Sequence, residues 1–149
     1  MATMREAVDD FLAQKRIAVA GVSRGGNEAA NAIYRKLRET GYEVYATNPK
    51  ATEVEGDPCY PDLASIPVAV DGVVVATHPD ATELVVRDCA DLGISRVWLH
   101  RSFGQGSVSG PAVDYCRQNG ITVIAGGCPM MFCEPVDLGH KCIRWMLNL

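Results

Sequence analysis

The chain has 149 residues, an apolar fraction of 48%, a charged fraction of 21% and a net charge of −4. That length and balance fit one globular domain with a sizeable core, and the acidic charge argues against a nucleic-acid partner. No apolar run approaches the ~20 residues that span a bilayer; Met1–Gln14 carries three acids and no apolar segment, so neither a membrane span nor a signal peptide is expected.

Thr3-Met4-Arg5-Glu6 reads as a capping box opening a helix to about Ala13, with Val8, Phe11 and Leu12 on one face. A short apolar strand, Ile17–Ala20, runs into a glycine-rich turn. Helical spacing then covers about Asn27 to Glu39, burying Ala30, Ile33 and Leu37, and stops at Gly41. Glu43–Thr47 is the second strand, broken by Asn48-Pro49-Lys50. The Pro-rich connection from Pro58 to Pro67 has room for a very short strand near Cys59-Tyr60. Gly72–Thr77 is a continuous apolar strand, as in a sheet covered on both faces. Pro79 opens a helix ending near Leu92-Gly93, Arg96–Leu99 is a strand, Ser109–Gln118 a helix and Ile121–Ala125 the last strand. After a loop, Gly126–Glu134, a C-terminal helix runs from Pro135 to about Leu147. This alternation predicts a single α/β domain over residues 1–149, a Rossmann-like doubly wound parallel sheet of about five strands with helices on both faces.

In such a sheet the ligand sits beyond the C-terminal strand ends, at the switch point. Those ends carry Gly21–Gly26, Thr47–Lys50, Thr77-His78, His100–Phe103 and Gly126–Pro129. The first strand, its glycine turn and the following helix start together form a phosphate-binding corner. Read as G-x-G-x-x-G, the turn has Gly21 first and Gly26 third, but Ser23 stands in place of the middle glycine, so a hydroxyl is expected to help hold the phosphate. Gly21 is expected where a side chain would strike the phosphate or the helix start. An NAD site wants an acid at the end of the second strand, for the ribose diol. Here Lys50 is offered instead, which suits a phosphorylated ribose such as that of NADP or coenzyme A; a solvated loop lysine is the competing reading. Arg24 and Arg101 are candidate phosphate forks. His78 is either a helix cap or a ligand contact.

The six cysteines, in a chain without secretory features, read as reduced thiols of a cytoplasmic protein. Cys128 follows Gly126-Gly127 on the predicted crevice rim, where its thiol is placed to meet a ligand thiol; a buried packing cysteine is the alternative. Cys128, Cys133, His140 and Cys142 lack a C-x-x-C pair, and His140 and Cys142 do not share a helix face, which speaks against zinc. Gly21-Val22-Ser23-Arg24-Gly25 also matches G-x-S-x-G, but a hydrolase elbow follows a strand deep in the sheet rather than the first one.

Five segments, Ile17–Ser23, Gly41–Lys50, Val70–Val75, Val97–His100 and Gly120–Pro129, run in order over nearly the whole chain. Together they resemble the small stand-alone CoA-binding proteins, whose Rossmann domain is similar to the N-terminal domain of the succinyl-CoA synthetase alpha subunit. The resemblance implies coenzyme A or an acyl-CoA in the crevice. Its phosphates would lie over Gly21, Val22, Ser23 and Arg24, its ribose phosphate near Asn48, Pro49 and Lys50, and its adenine edge or pantetheine would pass Thr77 and His78. Many members carry a Pro-Ser pair before the first long helix, where this chain has Glu28-Ala29-Ala30-Asn31. The sequence pairs no nucleophile with a base, so a binding module is expected rather than an enzyme. The alternative is an NADP-dependent reductase, which would need a Tyr or Lys acid beside the nicotinamide. Trp98 and Trp145 read as packing or interface residues, compatible with a homo-oligomer or a protein partner.

Overall fold

The structure, a computed structural model, describes residues 2–102 and 104–149. Helix α1 (Met4–Leu12) precedes β1 (Arg16–Ala20), α2 (Ala29–Thr40) and β2 (Glu43–Thr47). A hairpin of β3 (Glu53–Val54) and β4 (Asp57–Tyr60) leads to β5 (Gly72–Val75) and α3 (Pro79–Asp91). The chain continues through β6 (Arg96–Leu99), α4 (Gly110–Gln118), β7 (Thr122–Ala125) and α5 (Leu138–Met146).

The strand order is β3-β4-β2-β1-β5-β6-β7. Pairing is parallel from β4 through to β7, and only β3 lies antiparallel, on the edge beyond β4. The sheet therefore has seven strands, not about five. The additional pair comes from the segment between β2 and β5. Its strands are two and four residues long; β4 is the very short strand expected near Cys59-Tyr60, while β3, at two residues, is too short for a hydrophobic period to mark. Glu55-Gly56 closes this hairpin with both residues at positive φ, 53° and 79°, as a two-residue hairpin turn requires.

Side-chain alternation along the central strands builds two cores. Ile17, Val19, Val74, Trp98 and Ile124 face α1 and α2, whereas Ala18, Val73, Val75, Val97 and Leu99 face α3 and α4. This two-sided burial explains why β5 reads as an unbroken apolar run. Each fully buried valine or leucine contributes roughly 1.5–3 kcal/mol. Trp98 is fully buried; its indole N–H donates to the Gly126 carbonyl at 3.0 Å, and the ring meets Phe11 edge-on at 5.5 Å.

Helix boundaries follow their caps. The capping box at Thr3 forms, with Glu6 N–H donating to Thr3 Oγ1 and Thr3 N–H to Glu6 Oε2. Helix α2 starts at Ala29 rather than near Asn27, because Gly25-Gly26-Asn27 still belongs to the turn. Helix α5 starts at Leu138 rather than Pro135, because the Asp137 carboxylate accepts from the His140 N–H and fixes the N-cap there.

Candidate functional site

Strands β1 and β5 are neighbours whose connections leave in opposite directions, to α2 on one face and to α3 on the other. The divergence opens a crevice of about 580 Å³ at their C-terminal ends. Gly21 and Ser23 from the glycine turn, Thr47–Lys50 from the β2 exit and Ala76–His78 from the β5 exit line it. Leu63 and the α3 side chains Ala81, Leu84 and Val85 give an apolar wall; Glu28, Asp62 and Asp88 supply carboxylates.

Gly21 is required by the backbone itself. Its φ is +106°, and a Cβ there would lie 2.4 Å from the Ala76 carbonyl oxygen. The close neighbour is thus the β5 exit, not the helix start as the sequence suggests. The glycine lets β1 and β5 leave the sheet in contact, which sets the floor of the crevice.

Asn31, fully buried in the first turn of α2, locks the turn above that floor. Ser23 N–H donates to Asn31 Oδ1 at 2.9 Å and Ser23 Oγ donates to the same atom at 3.3 Å. Asn31 Nδ2 donates to the Ser23 carbonyl at 2.7 Å and to Glu55 Oε2 at 2.8 Å. Arg35 reaches the Glu55 carboxylate at 2.9 Å and the Gly26 carbonyl at 3.2 Å. The Asn31 bond, with the Arg35 guanidinium behind it, holds the Glu55 carboxyl below its ordinary range. Beside it, Asp57 accepts from the Tyr34 hydroxyl at 2.7 Å and from Arg38 at 2.8 Å, which likewise lowers its pKa. Sequence reading passed over Asn31 and Glu55. Asn31 lies three residues before Tyr34 on the buried side of α2, so a polar residue at a core position was the available signal.

At the β2 exit, Asn48 Nδ2 donates to the Val22 carbonyl at 2.9 Å, and its Oδ1 accepts from the Lys50 N–H at 2.9 Å. Asn48 thereby ties β2 to the glycine turn and shapes the Asn-Pro-Lys corner. Lys50 is exposed at the crevice mouth. His78 caps α3, its Nδ1 accepting from the Asp80 N–H at 3.3 Å, and is exposed. Thr77 is braced from behind: Ser107 Oγ donates to its carbonyl. Burial and the nearby Asp62 raise the Asp88 carboxyl above its ordinary value. The lining therefore combines one lysine and the glycine turn with an apolar wall and three carboxylates.

The structure brings Gly21, Ser23, Asn48, Pro49, Lys50, Thr77 and His78 together on this crevice. Val22, Arg24, Arg101 and Cys128 are not among its lining residues. Val22 and Cys128 are buried in the core, and burial pushes the Cys128 thiol up to about 11. Arg24 is exposed on the turn. Arg101 pairs with Gly127 across the β6 and β7 exits and lies over Gly126, in a separate groove of about 330 Å³. Phe103 lies outside the described residues. Among the described residues no group of three or more His, Cys, Asp or Glu side chains is placed to hold a metal ion, and no helix is long and apolar enough to cross a membrane.

Comparisons with known proteins agree with this fold. The chain is 28% identical over 120 residues to acetate–CoA ligase [ADP-forming] I of Archaeoglobus fulgidus, covering 76% of this chain and 18% of that protein. It spans between 11% and 28% of the length of the ligase relatives it matches. YneT of Bacillus subtilis is 26% identical over 114 residues, covering 76% of this chain and 82% of that protein. A hypothetical protein from Pyrococcus horikoshii superposes with a TM-score of 0.81 at 28% identity, over 91% of this chain and 92% of that one. The profile of the CoA binding domain family matches residues 15–134, the stretch from just before β1 to beyond β7, and the chain belongs to that family.

Proposed function

We propose that the protein binds coenzyme A or an acyl-CoA in the β1–β5 crevice, in a reducing cytoplasmic setting. The observation that carries this reading is the β2 exit, where the crevice is lined by Asn48, Pro49 and Lys50 with no carboxylate before Glu53. A phosphorylated ribose fits that cation, whereas a bare ribose diol asks for a carboxylate in its place. Ser23 N–H and Oγ are engaged by Asn31, so the diphosphate meets the remaining amides of the turn and the start of α2, with exposed Arg24 as a second cation. Glu28, the α2 N-cap, makes no side-chain capping bond, so the Ala29 and Ala30 amides remain for the ligand, while the Asn31 amide donates to the Glu28 carbonyl. The uncharged part of the ligand lies along the apolar wall of Ala81, Leu84 and Val85. The proposed role is binding: these residues hold and orient a ligand. Arg101, in its separate groove, would meet only the far end of an extended ligand, and Cys128 is buried away from it.

Titration calorimetry with coenzyme A, NADP and NAD tests the proposal. Coenzyme A should bind at least tenfold tighter than NAD, since one charge-assisted phosphate contact is worth about 1.5–3 kcal/mol. Equal affinities, or a preference for NAD, would overturn it; NADP binding tighter than coenzyme A would favour the reductase reading.

A further inference from the structure

Behind the crevice, a buried polar latch joins the β5 exit to the segment before α4. Thr82, in the first turn of α3, is fully buried, and Ser107, three residues before α4, is buried with it. Ser107 uses all three of its polar groups on three different parts of the fold. Its N–H donates to the His100 carbonyl after β6 at 2.8 Å, and its hydroxyl donates to the Thr77 carbonyl after β5. Its own carbonyl accepts from Thr82 Oγ1 at 2.8 Å. The single Thr82 hydroxyl proton is thereby committed, so Thr77 is the donor in the 3.3 Å contact between the two threonine hydroxyls. None of these bonds belongs to a helix or strand ladder. They do not serve to start α3 either, because His78 already caps it.

We propose that Thr82 and Ser107 are positioning residues for the ligand: they pin the buried side of α3 and the Thr77 carbonyl in place, and so set the roll of the helix wall that the ligand lies along. The inference rests on the binding proposed for the crevice. Neither residue lines that crevice, so neither touches the ligand. Their effect passes through α3. At 100° per residue, the lining residues Ala81, Leu84, Val85 and Asp88 share an arc of about 100°, and Thr82, Val86 and Cys89 fall together on the flank beside it. A small roll at Thr82 therefore moves the whole apolar wall. Valine at position 82 keeps the shape and loses the hydroxyl. The Ser107 carbonyl and the Thr77 hydroxyl are then left in the core without their partner, and the segment must shift to find another. Serine at position 82 keeps the bond. Lys50 lies outside the latch, at the β2 exit, so the loss should not depend on the ribose phosphate.

Calorimetry with coenzyme A and dephospho-coenzyme A reads the outcome, alongside urea denaturation of each variant. Thr82→Val and Ser107→Ala should each weaken both ligands equally, by about three- to tenfold, in protein that circular dichroism shows to be folded. Thr82→Ser should restore the wild-type affinity. A bond that served stability alone would lower the urea midpoint and leave the affinity of the folded protein unchanged. That result overturns the inference, as does a Thr82→Ser variant as weak as Thr82→Val. Ser107→Ala, which removes only the donor to Thr77, decides the matter if Thr82→Val does not fold. A wild-type protein that binds neither ligand overturns the crevice proposal and the latch's role with it. A wild-type protein that binds, with variants that bind equally well, overturns the latch alone.

Discussion

Lys50 and Gly21 line the same crevice in different ways. Lys50 is an exposed side chain on a corner that Asn48 shapes, so its removal changes charge and leaves the corner standing. Lys50→Ala should weaken coenzyme A binding about tenfold while leaving dephospho-coenzyme A almost unchanged, as measured by calorimetry. An equal loss for both ligands would assign Lys50 to loop structure. Gly21 is a backbone requirement, with the Ala76 carbonyl where a Cβ would be. Gly21→Val should therefore destabilise the fold itself by about 3 kcal/mol or more in urea denaturation, because φ strain and the clash add. A fully stable variant with weakened binding would instead restore the idea of a glycine that only makes room for phosphate.

The β3–β4 hairpin acts on the crevice without lining it through its carboxylates. Glu55 sits in left-handed backbone, where glycine or asparagine is usual, at a cost of order 1 kcal/mol. That cost is offset by Asn31 and Arg35, which bond its carboxylate and carry the hairpin's position to the glycine turn. Both Glu55 and Asp57 are held below their ordinary carboxylate values. Such groups stabilise the fold fully above those values, and the contribution is lost as pH falls through the depressed folded ones. Stability should accordingly drop on acidification below the ordinary carboxylate range. Glu55→Gln should flatten that dependence and cost roughly 1 kcal/mol at neutral pH, since the pair is half screened by solvent. Chemical denaturation at a series of pH values measures both; an unchanged slope in the variant would remove Glu55 from the lock.

At the scale of the molecule, one sheet separates two cores and leaves every strand exit of β1, β2, β5, β6 and β7 on one edge. The position of each strand in the order decides what its exit can do. β1 and β5 are adjacent, so their exits share the crevice. β7 lies two strands beyond β5, and the loop after it turns inward, where Cys128 and Met131 join the core under Trp98 and Phe132. Cys128 belongs there to packing, with a thiol that burial keeps protonated near neutral pH. The Arg101–Gly127 bridge closes the same end of the sheet.

The sequence by itself determined the alternation of strands and helices, the glycine corner after β1 and the lysine after β2. Each of these is written in adjacent residues: an apolar run, a Gly-rich turn, an Asn-Pro-Lys stop. That Gly21, Ser23, Asn48, Pro49, Lys50, Thr77 and His78 line one crevice was legible because strand ends in a parallel sheet converge by topology alone. Only the tertiary structure decided the rest. The hairpin that extends the sheet to seven strands is held by Tyr34, Arg35 and Arg38 from a helix about 20 residues earlier. Asn31 became the organiser of the turn because folding brought Ser23 and Glu55 to its two sides at once. Cys128 and Arg101 share the edge with the crevice in sequence logic but are drawn away from it by the core and by Gly127. Propensity and spacing are properties of neighbours along the chain, whereas partners in a buried hydrogen-bond network are chosen by what packing brings within 3 Å.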